Sequence, residues 1–109
     1  MTTSATVPVT VTPEAAARIA ELGFQAHVDR MIEHARQHVL ELDRVELVLY
    51  DRYELGDEPG LAVEVYSRRP YGYGNQDGRN LLRWMAREFP PEVLQHVIMD
   101  YHPEGGRAG

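Results

Sequence analysis

The sequence predicts a small α+β protein whose helices pack on one face of a mixed sheet of three or four strands, in the order (β)ααββαβ. Some segments carry apolar residues at helical spacing, and others alternate apolar and polar residues as half-buried strands do. The chain has 109 residues, of which 43% are hydrophobic and 26% charged, as in ordinary globular domains. We therefore expect residues 1–109 to form one domain, with residues 1–6 and 103–109 as flexible tails.

The N-terminal part predicts a short strand followed by two helices. Residues 6–11 alternate weakly, and Pro8 restricts such a strand to a sheet edge. The first helix begins after the capping residue Thr12 and ends at Gly23. The second helix is predicted over residues 24–42, because its apolar residues share one face. These residues are Phe24, Val28, Met31, Ile32, Ala35, Val39 and Leu42.

The middle of the chain predicts an antiparallel hairpin. Residues 44–51 and 61–68 both alternate, and the segment between them is rich in turn-forming residues. One face of the hairpin would lie on the core, and the other would be wetter.

A third helix and a last strand complete the predicted fold. The helix begins near Asn75 or Asp77, and Pro90 stops it. Residues 93–102 alternate and predict a strand, which a right-handed crossover would place parallel to residues 61–68.

The sheet face that no helix covers is expected to be partly open. It would carry Tyr50, Tyr66 and either Tyr101 or Ile98. Aromatic residues on an open sheet face are typical of dimer interfaces, so we expect a homodimer.

The composition excludes several kinds of chemistry. The chain has no cysteine, and all of its 11 basic residues are arginine. These absences exclude disulfides, thiolate metal sites, cysteine nucleophiles and lysine Schiff bases. Ser67 lies outside any G-x-S-x-G turn, so covalent serine catalysis is not indicated. The composition therefore favours a non-catalytic role, and no cofactor is predicted.

Net charge and hydropathy narrow the expected partners and location. A net charge of -6 disfavours broad binding to nucleic acid or anionic lipid. No apolar run approaches the roughly 20 residues that a membrane span needs. The N-terminal residues lack the basic start and apolar centre of a signal peptide. We therefore expect a cytoplasmic protein without a membrane partner.

Histidines are the main candidates for a metal site. His34 and His38 have the i, i+4 spacing that lets two imidazoles bind one zinc ion. Ala35 stands where a zinc protease would have its glutamate, so the hydrolytic motif is incomplete. Asp100 or His102 is the predicted third ligand. An alternative function is therefore a metal-assisted or acid–base enzyme, in which Asp100 and His102 could also exchange protons.

The segment from Arg68 to Arg79, RRPYGYGNQDGR, is the most unusual stretch of the chain. Its glycines do not have the spacing of a dinucleotide-binding loop. A plain connector, a protein or dimer surface, and a site for single-stranded nucleic acid or a phosphate ligand all remain open. The predicted partner-binding residues are Arg68, Arg69, Tyr71, Tyr73, Arg79 and Trp84.

The leading expectation combines these observations. The protein is predicted to be a non-catalytic binding or regulatory module that acts as a homodimer through protein–protein contacts. The metal-assisted enzyme and the single-stranded nucleic-acid or phosphate-ligand binder are the alternatives.

Overall fold

The computed structural model describes residues 7–50, 59–70 and 75–104. Within these ranges the chain forms a four-stranded mixed sheet and four helices, which confirms the predicted α+β class. The elements are β1 (Val9–Val11), α1 (Pro13–Leu22), α2 (Gln25–His38), β2 (Leu42–Tyr50), β3 (Gly60–Ser67), α3 (Asn75–Glu88), α4 (Pro91–Leu94) and β4 (Val97–His102).

The strands lie in the order β1-β2-β3-β4. β1 is parallel to β2, β2 is antiparallel to β3, and β3 is parallel to β4. The hairpin of β2 and β3 and the parallel pairing of β3 with β4 are as predicted, whereas the sequence did not specify the parallel pairing of β1 with β2. β1 lies at the edge, as Pro8 requires, and the carbonyl of Pro8 accepts a hydrogen bond from the Val45 N–H at 3.0 Å.

The hydrophobic core lies between the helices and one face of the sheet. Alternate strand positions and one face of each long helix supply it, because a two-layer domain must bury one face of each element. The strands contribute Val45, Leu47, Leu61, Val63, Val65, Val97 and Met99, and the helices contribute Ala15, Ile19, Val28, Met31, Ala35, Leu81, Met85 and Phe89. Each large side chain that is fully buried stabilises the fold by about 1.5–3 kcal/mol.

Helix α1 has the predicted ends. The Thr12 Oγ1 accepts a hydrogen bond from the Ala15 N–H at 3.1 Å, and Pro13 occupies the first helical position. Gly23 ends the helix with a φ of 72°, a left-handed conformation that suits glycine.

Helix α2 ends earlier than predicted. The apolar period runs to Leu42, but the helix stops at His38, and Leu42 already begins β2. Val39 is extended, and Glu41 adopts a φ of 53°, so the chain turns here. Val39 and Leu42 are both buried in the core, which continues the apolar period without continuing the helix.

The last strand starts later than predicted. Residues 91–94 form the short helix α4, and the strand begins only at Val97. Pro90 is extended and Pro91 takes the first helical position, which proline favours. Val93 lies in this helical turn and is buried in the core. A strand would also bury it, so its apolar character does not distinguish a helix from a strand here.

Gly78 allows helix α3 to lie close to β4. It occupies the first turns of the helix, and a Cβ added there would lie 3.2 Å from the Cβ of Tyr101. The glycine therefore serves helix–strand packing instead of a turn before the helix. None of the described helices has the length and apolar character needed to cross a bilayer.

Candidate metal centre on the open face of the sheet

The helices cover one face of the sheet, and the other face, here called the open face, carries mainly polar side chains. Tyr101 packs against the core, so Ile98 is the β4 residue on the open face. The open face includes Arg44, Glu46, Val48 and the predicted Tyr50 on β2, Ala62, Glu64 and the predicted Tyr66 on β3, and Ile98, Asp100 and His102 on β4.

The strand register arranges these side chains in rows across the sheet. Glu64 pairs with Glu46 on one side and with Asp100 on the other. In the next row, Tyr66 lies between Arg44 and His102. A row of three carboxylates therefore adjoins a row that contains an arginine, a tyrosine and a histidine.

Three of these residues form a compact cluster of possible metal ligands, here called the metal trio: Glu64, Asp100 and His102. One ligand atom from each lies within 4.8 Å of the others. The His102 Nε2 is 2.5 Å from the Glu64 Oε2, and the two side chains are 35% and 18% exposed. The two parallel strands hold the trio, so its spacing is set by backbone pairing.

Aromatic stacking orients the imidazole of the trio. The Tyr66 ring stacks on the His102 ring with centroids 4.7 Å apart. The Arg44 guanidinium lies 3.9 Å from the Tyr66 centroid on β3 and forms ion pairs with Asp43 and Glu46. Such cation–π contacts add about 0.5–1 kcal/mol each at exposed sites.

The local charges shift the pKa values of this supporting pair. Burial raises the pKa of the Tyr66 hydroxyl, and the nearby carboxylates of Glu46 and Glu64 raise it further. Hydrogen bonds to Glu46 and then Asp43 raise the pKa of the Arg44 guanidinium. The phenol therefore stays protonated and the guanidinium charged at neutral pH.

The donor set of the trio suits a divalent first-row transition metal. An imidazole nitrogen and two carboxylates bind zinc, manganese, iron or nickel, whereas calcium and magnesium favour oxygen ligands alone. Three protein ligands leave coordination positions for water or another donor. As it stands, the imidazole–carboxylate pair can also hold or pass a proton.

The helix histidines of the predicted metal site lie elsewhere. His34 and His38 contact each other with ring centroids 4.2 Å apart, on α2 and hence on the helix side of the sheet. Asp100 and His102 lie on the open face, so the structure does not bring the two pairs together. In the described ranges, the metal trio is the group of three potential ligands that lies close enough to share an ion.

His34 instead borders a groove between α2 and α3. Its ring stacks on the Trp84 indole at 3.8 Å and 11°. The groove has a volume of about 400 Å³ and is also lined by His38 and by Asp77 of α3. Burial, followed by the charges of His38 and Arg87, lowers the pKa of His34.

The predicted partner-binding residues are divided between the described and undescribed parts of the chain. Tyr71 and Tyr73 lie outside the described residues. Arg79 is exposed. The Arg68 side chain is 60% exposed, and its Nη1 lies 3.5 Å from the Asp43 Oδ1. Their role in binding a partner stays a prediction.

Two other residues of this segment have structural contacts. The Arg69 N–H donates to the hydroxyl of buried Ser67, and the Arg69 carbonyl accepts from the Glu104 N–H at 2.8 Å. Ser67 also donates to the Leu40 carbonyl at 2.8 Å. Trp84 is partly buried against the core and belongs to the α2–α3 groove.

Glu64 is the member of the metal trio that the sequence prediction missed. Its signal was present in the alternation of residues 61–68, which places it on the open face. Parallel pairing of β3 with β4 then brings it beside Asp100. The register of that pairing is what a single sequence does not specify.

Comparisons of the chain with family models, curated proteins and solved structures found no match.

Proposed function

We propose that the protein is a small binding module that holds a divalent transition-metal ion on the open face of its sheet. The observation that carries this proposal is the metal trio of Glu64, Asp100 and His102, whose ligand atoms lie within 4.8 Å of one another. An ion that binds the folded trio would stabilise the domain, because the unfolded chain does not keep the three ligands together.

The surroundings of the trio support metal binding over a simple ion pair. Glu64 and Asp100 place two carboxylates beside one imidazole, and a single histidine does not neutralise both. Tyr66 stacks on His102 and keeps its ring in place. In known sites metal-binding histidines are oriented by hydrogen bonds from outside the ligand set, and loss of such outer contacts costs about 10–100-fold in affinity; here the stacking of Tyr66 does the orienting.

Zinc titration of metal-free protein, purified without a histidine tag, tests the proposal by calorimetry. We expect saturable binding of one ion per chain, with zinc or nickel tighter than magnesium or calcium. At a free zinc concentration of about 100 times Kd, the ion should stabilise the fold by about 2.7 kcal/mol and raise Tm by several degrees. Affinity should fall on acidification, because a metal-binding imidazole must be neutral.

Matched substitutions identify the ligands. His102→Gln and Asp100→Asn should each lower zinc affinity by at least about tenfold, the lower end of the range for outer-contact loss. Glu33→Gln is the control, because it removes one carboxylate at an exposed position of α2, on the other side of the sheet from the trio, and should leave zinc affinity unchanged. Unchanged affinity in the His102 and Asp100 variants, or its loss in His38→Gln, would contradict the proposal.

We also propose that the protein acts as a homodimer through the open face, as the sequence predicts. Among the described residues no element covers this face, and one of its rows, formed by Val48, Ala62 and Ile98, is apolar. These two features support a second copy as the occupant. Protein binding through the segment from Arg68 to Arg79 stays a proposal on the sequence alone.

Light scattering with size-exclusion chromatography tests the dimer. At concentrations on the order of tens of micromolar we expect a molar mass equal to two chains. Ile98→Asp should lower the molar mass to that of one chain, because a charge buried in the interface opposes association. Leu82→Asp is the control, since Leu82 is 59% exposed on α3, away from the open face. A monomer at these concentrations, with and without zinc, would refute the dimer.

A further inference from the structure

The α2–α3 groove combines several basic side chains with room for a small molecule. It has a volume of about 400 Å³, in the size range of ligand pockets. Arg83 and Arg87 line it from α3, and His34 and His38 line it from α2. Each pair has i, i+4 spacing, so its two members lie on one side of their helix.

The groove is positively charged on a molecule whose net charge is negative. Two arginines border it, and its carboxylate is Asp77, whose Oδ2 accepts a hydrogen bond from the Leu40 N–H at 3.3 Å. The two arginines outnumber this one carboxylate even without a contribution from the histidines, whereas the whole chain has a formal charge of -6. Such local cationic concavities attract anions.

The arginines are available for an anionic ligand. Among the described residues, Arg83 forms no ion pair, and Arg87 has a distant contact of 3.7 Å with exposed Glu88. Ion pairs between exposed side chains contribute at most about 1 kcal/mol, so this contact would not hold Arg87 away from the groove. Burial and the charges of His38 and Arg87 lower the pKa of His34, which agrees with crowding of basic groups.

The residue types favour phosphate over other anions. Guanidinium groups bind phosphate oxygens through two parallel hydrogen bonds, and the imidazoles and the Asn80 side chain can donate further ones. The groove is larger than an inorganic phosphate needs, and the stacked Trp84 and His34 rings line it beside the basic residues. The remaining space could therefore hold an organic group.

We propose that the groove between α2 and α3 binds a small phosphate-bearing organic molecule, with Arg83 and Arg87 as its principal phosphate contacts. The site lies on the helix side of the sheet and uses none of the metal trio. Its occupancy is therefore independent of metal binding on the open face.

The single tryptophan of the chain makes binding directly measurable. Trp84 is the sole tryptophan and lies in the groove wall, so its fluorescence reports on a ligand there. Metal-free protein is titrated with inorganic pyrophosphate, ADP, glucose 6-phosphate and citrate at constant ionic strength. We expect a saturable fluorescence change, confirmed by calorimetry, with an organic phosphate tighter than pyrophosphate and all phosphates tighter than citrate.

Charge-matched double variants identify the contacts. Arg83→Gln with Arg87→Gln should weaken phosphate binding by at least about tenfold, because it removes charge-assisted hydrogen bonds. Arg30→Gln with Arg36→Gln removes the same charge at exposed positions outside the groove lining and should leave affinity within about twofold. Circular dichroism and Tm establish that both double variants remain folded.

Four outcomes would overturn the proposal. The first is the absence of saturable binding, and the second is an equal loss of affinity in both double variants. The third is citrate binding as tight as that of the phosphates. The fourth is a single-stranded oligonucleotide that binds through Arg83 and Arg87 more tightly than ADP does. The second outcome would show general electrostatic attraction, and the last would make the groove part of a nucleic-acid surface.

Discussion

At the scale of single residues, His34 illustrates how a helix flank acquires an electrostatic role. Its ring stacks on Trp84, and its neighbours on the groove include the basic side chains of His38 and Arg87. Burial is the main reason that the pKa of His34 lies below 6.5, and the charges of His38 and Arg87 lower it further. The charge of Glu88 raises the pKa, but by less. The folded protein therefore prefers His34 neutral.

This preference predicts a loss of stability on acidification. Below pH 6.5 the unfolded chain takes up a proton at His34 more readily than the folded protein, so the stability present above pH 6.5 is lost as the pH falls through the folded pKa. Urea denaturation at about pH 7.5 and about pH 5.5 should give a smaller difference for His34→Gln than for the unsubstituted protein.

A nearby substitution separates this effect from general changes to the helix. Arg36→Gln changes an exposed position on the same helix and leaves His34 in place, so it should leave the pH dependence unchanged. If His34→Gln and the unsubstituted protein lose the same stability between the two pH values, the lowered pKa of His34 has no part in acid sensitivity.

The residue scale also shows which site features the sequence could predict. Asp100 and His102 were identified as a carboxylate–imidazole pair because they alternate on one strand. Helical spacing alone predicts His34 and His38 as their partners. That spacing does not specify whether a helix and a given strand face lie on the same side of the sheet. Glu64 was the better partner, since parallel pairing brings it beside Asp100.

At the scale of elements, the turn between α2 and β2 contains local strain. Glu41 has a φ of 53°, although a residue with a Cβ loses roughly 1–2 kcal/mol in the left-handed conformation. Its carbonyl accepts the Arg68 N–H at 2.9 Å and so joins the turn to the end of β3. The backbone conformation is thus maintained by the fold and not by the residue type.

Replacing Glu41 with glycine should stabilise the protein. Glycine relieves the left-handed conformation but loses about 0.5–1 kcal/mol in unfolded-state entropy, so we expect a net gain on the order of 0.5–1 kcal/mol. The Tm should rise by about 2–8 °C. Glu33→Gly, inside helix α2, is the matched control and should instead cost about 1 kcal/mol. Equal losses in the two variants would show that the Glu41 turn is not strained.

The elements differ in how far the sequence predicted them. Helix α1 has side-chain and glycine signals at both ends, and its bounds were predicted accordingly. Helix α2 and strand β4 have apolar residues just beyond their ends, at Leu42 and Val93, and both were predicted too long. Apolar periodicity reports burial, and a buried residue in a turn or a short helix satisfies it equally well.

At the scale of the whole molecule, the fold class followed from patterns that reinforce one another. The hairpin, the crossover to β4 and the edge position of β1 each agree with the same two-layer arrangement, which reduces the alternatives. The two candidate sites are harder to predict because each combines residues far apart in sequence. The metal trio joins two strands, and the groove joins two helices separated by the hairpin.

The two candidate sites lie on opposite sides of the sheet. The metal trio lies on the open face, and the basic groove lies between the helices on the other. This separation lets the two proposals be examined one at a time, because a substitution in either site leaves the residues of the other in place. Effects of mutations at such distant sites without shared partners usually add.

The outer strands also affect how the protein behaves when crowded. The two edge strands are β1, which has only three residues, and β4. Pro8 directly precedes β1 and Pro103 directly follows β4, so a proline adjoins one end of each edge strand. Proline has no amide hydrogen to offer an incoming chain, and a very short margin provides few backbone groups for templated stacking into fibrils. The six residues of β4 make that margin the longer one, so it presents an incoming chain with more unpaired backbone groups than β1 does.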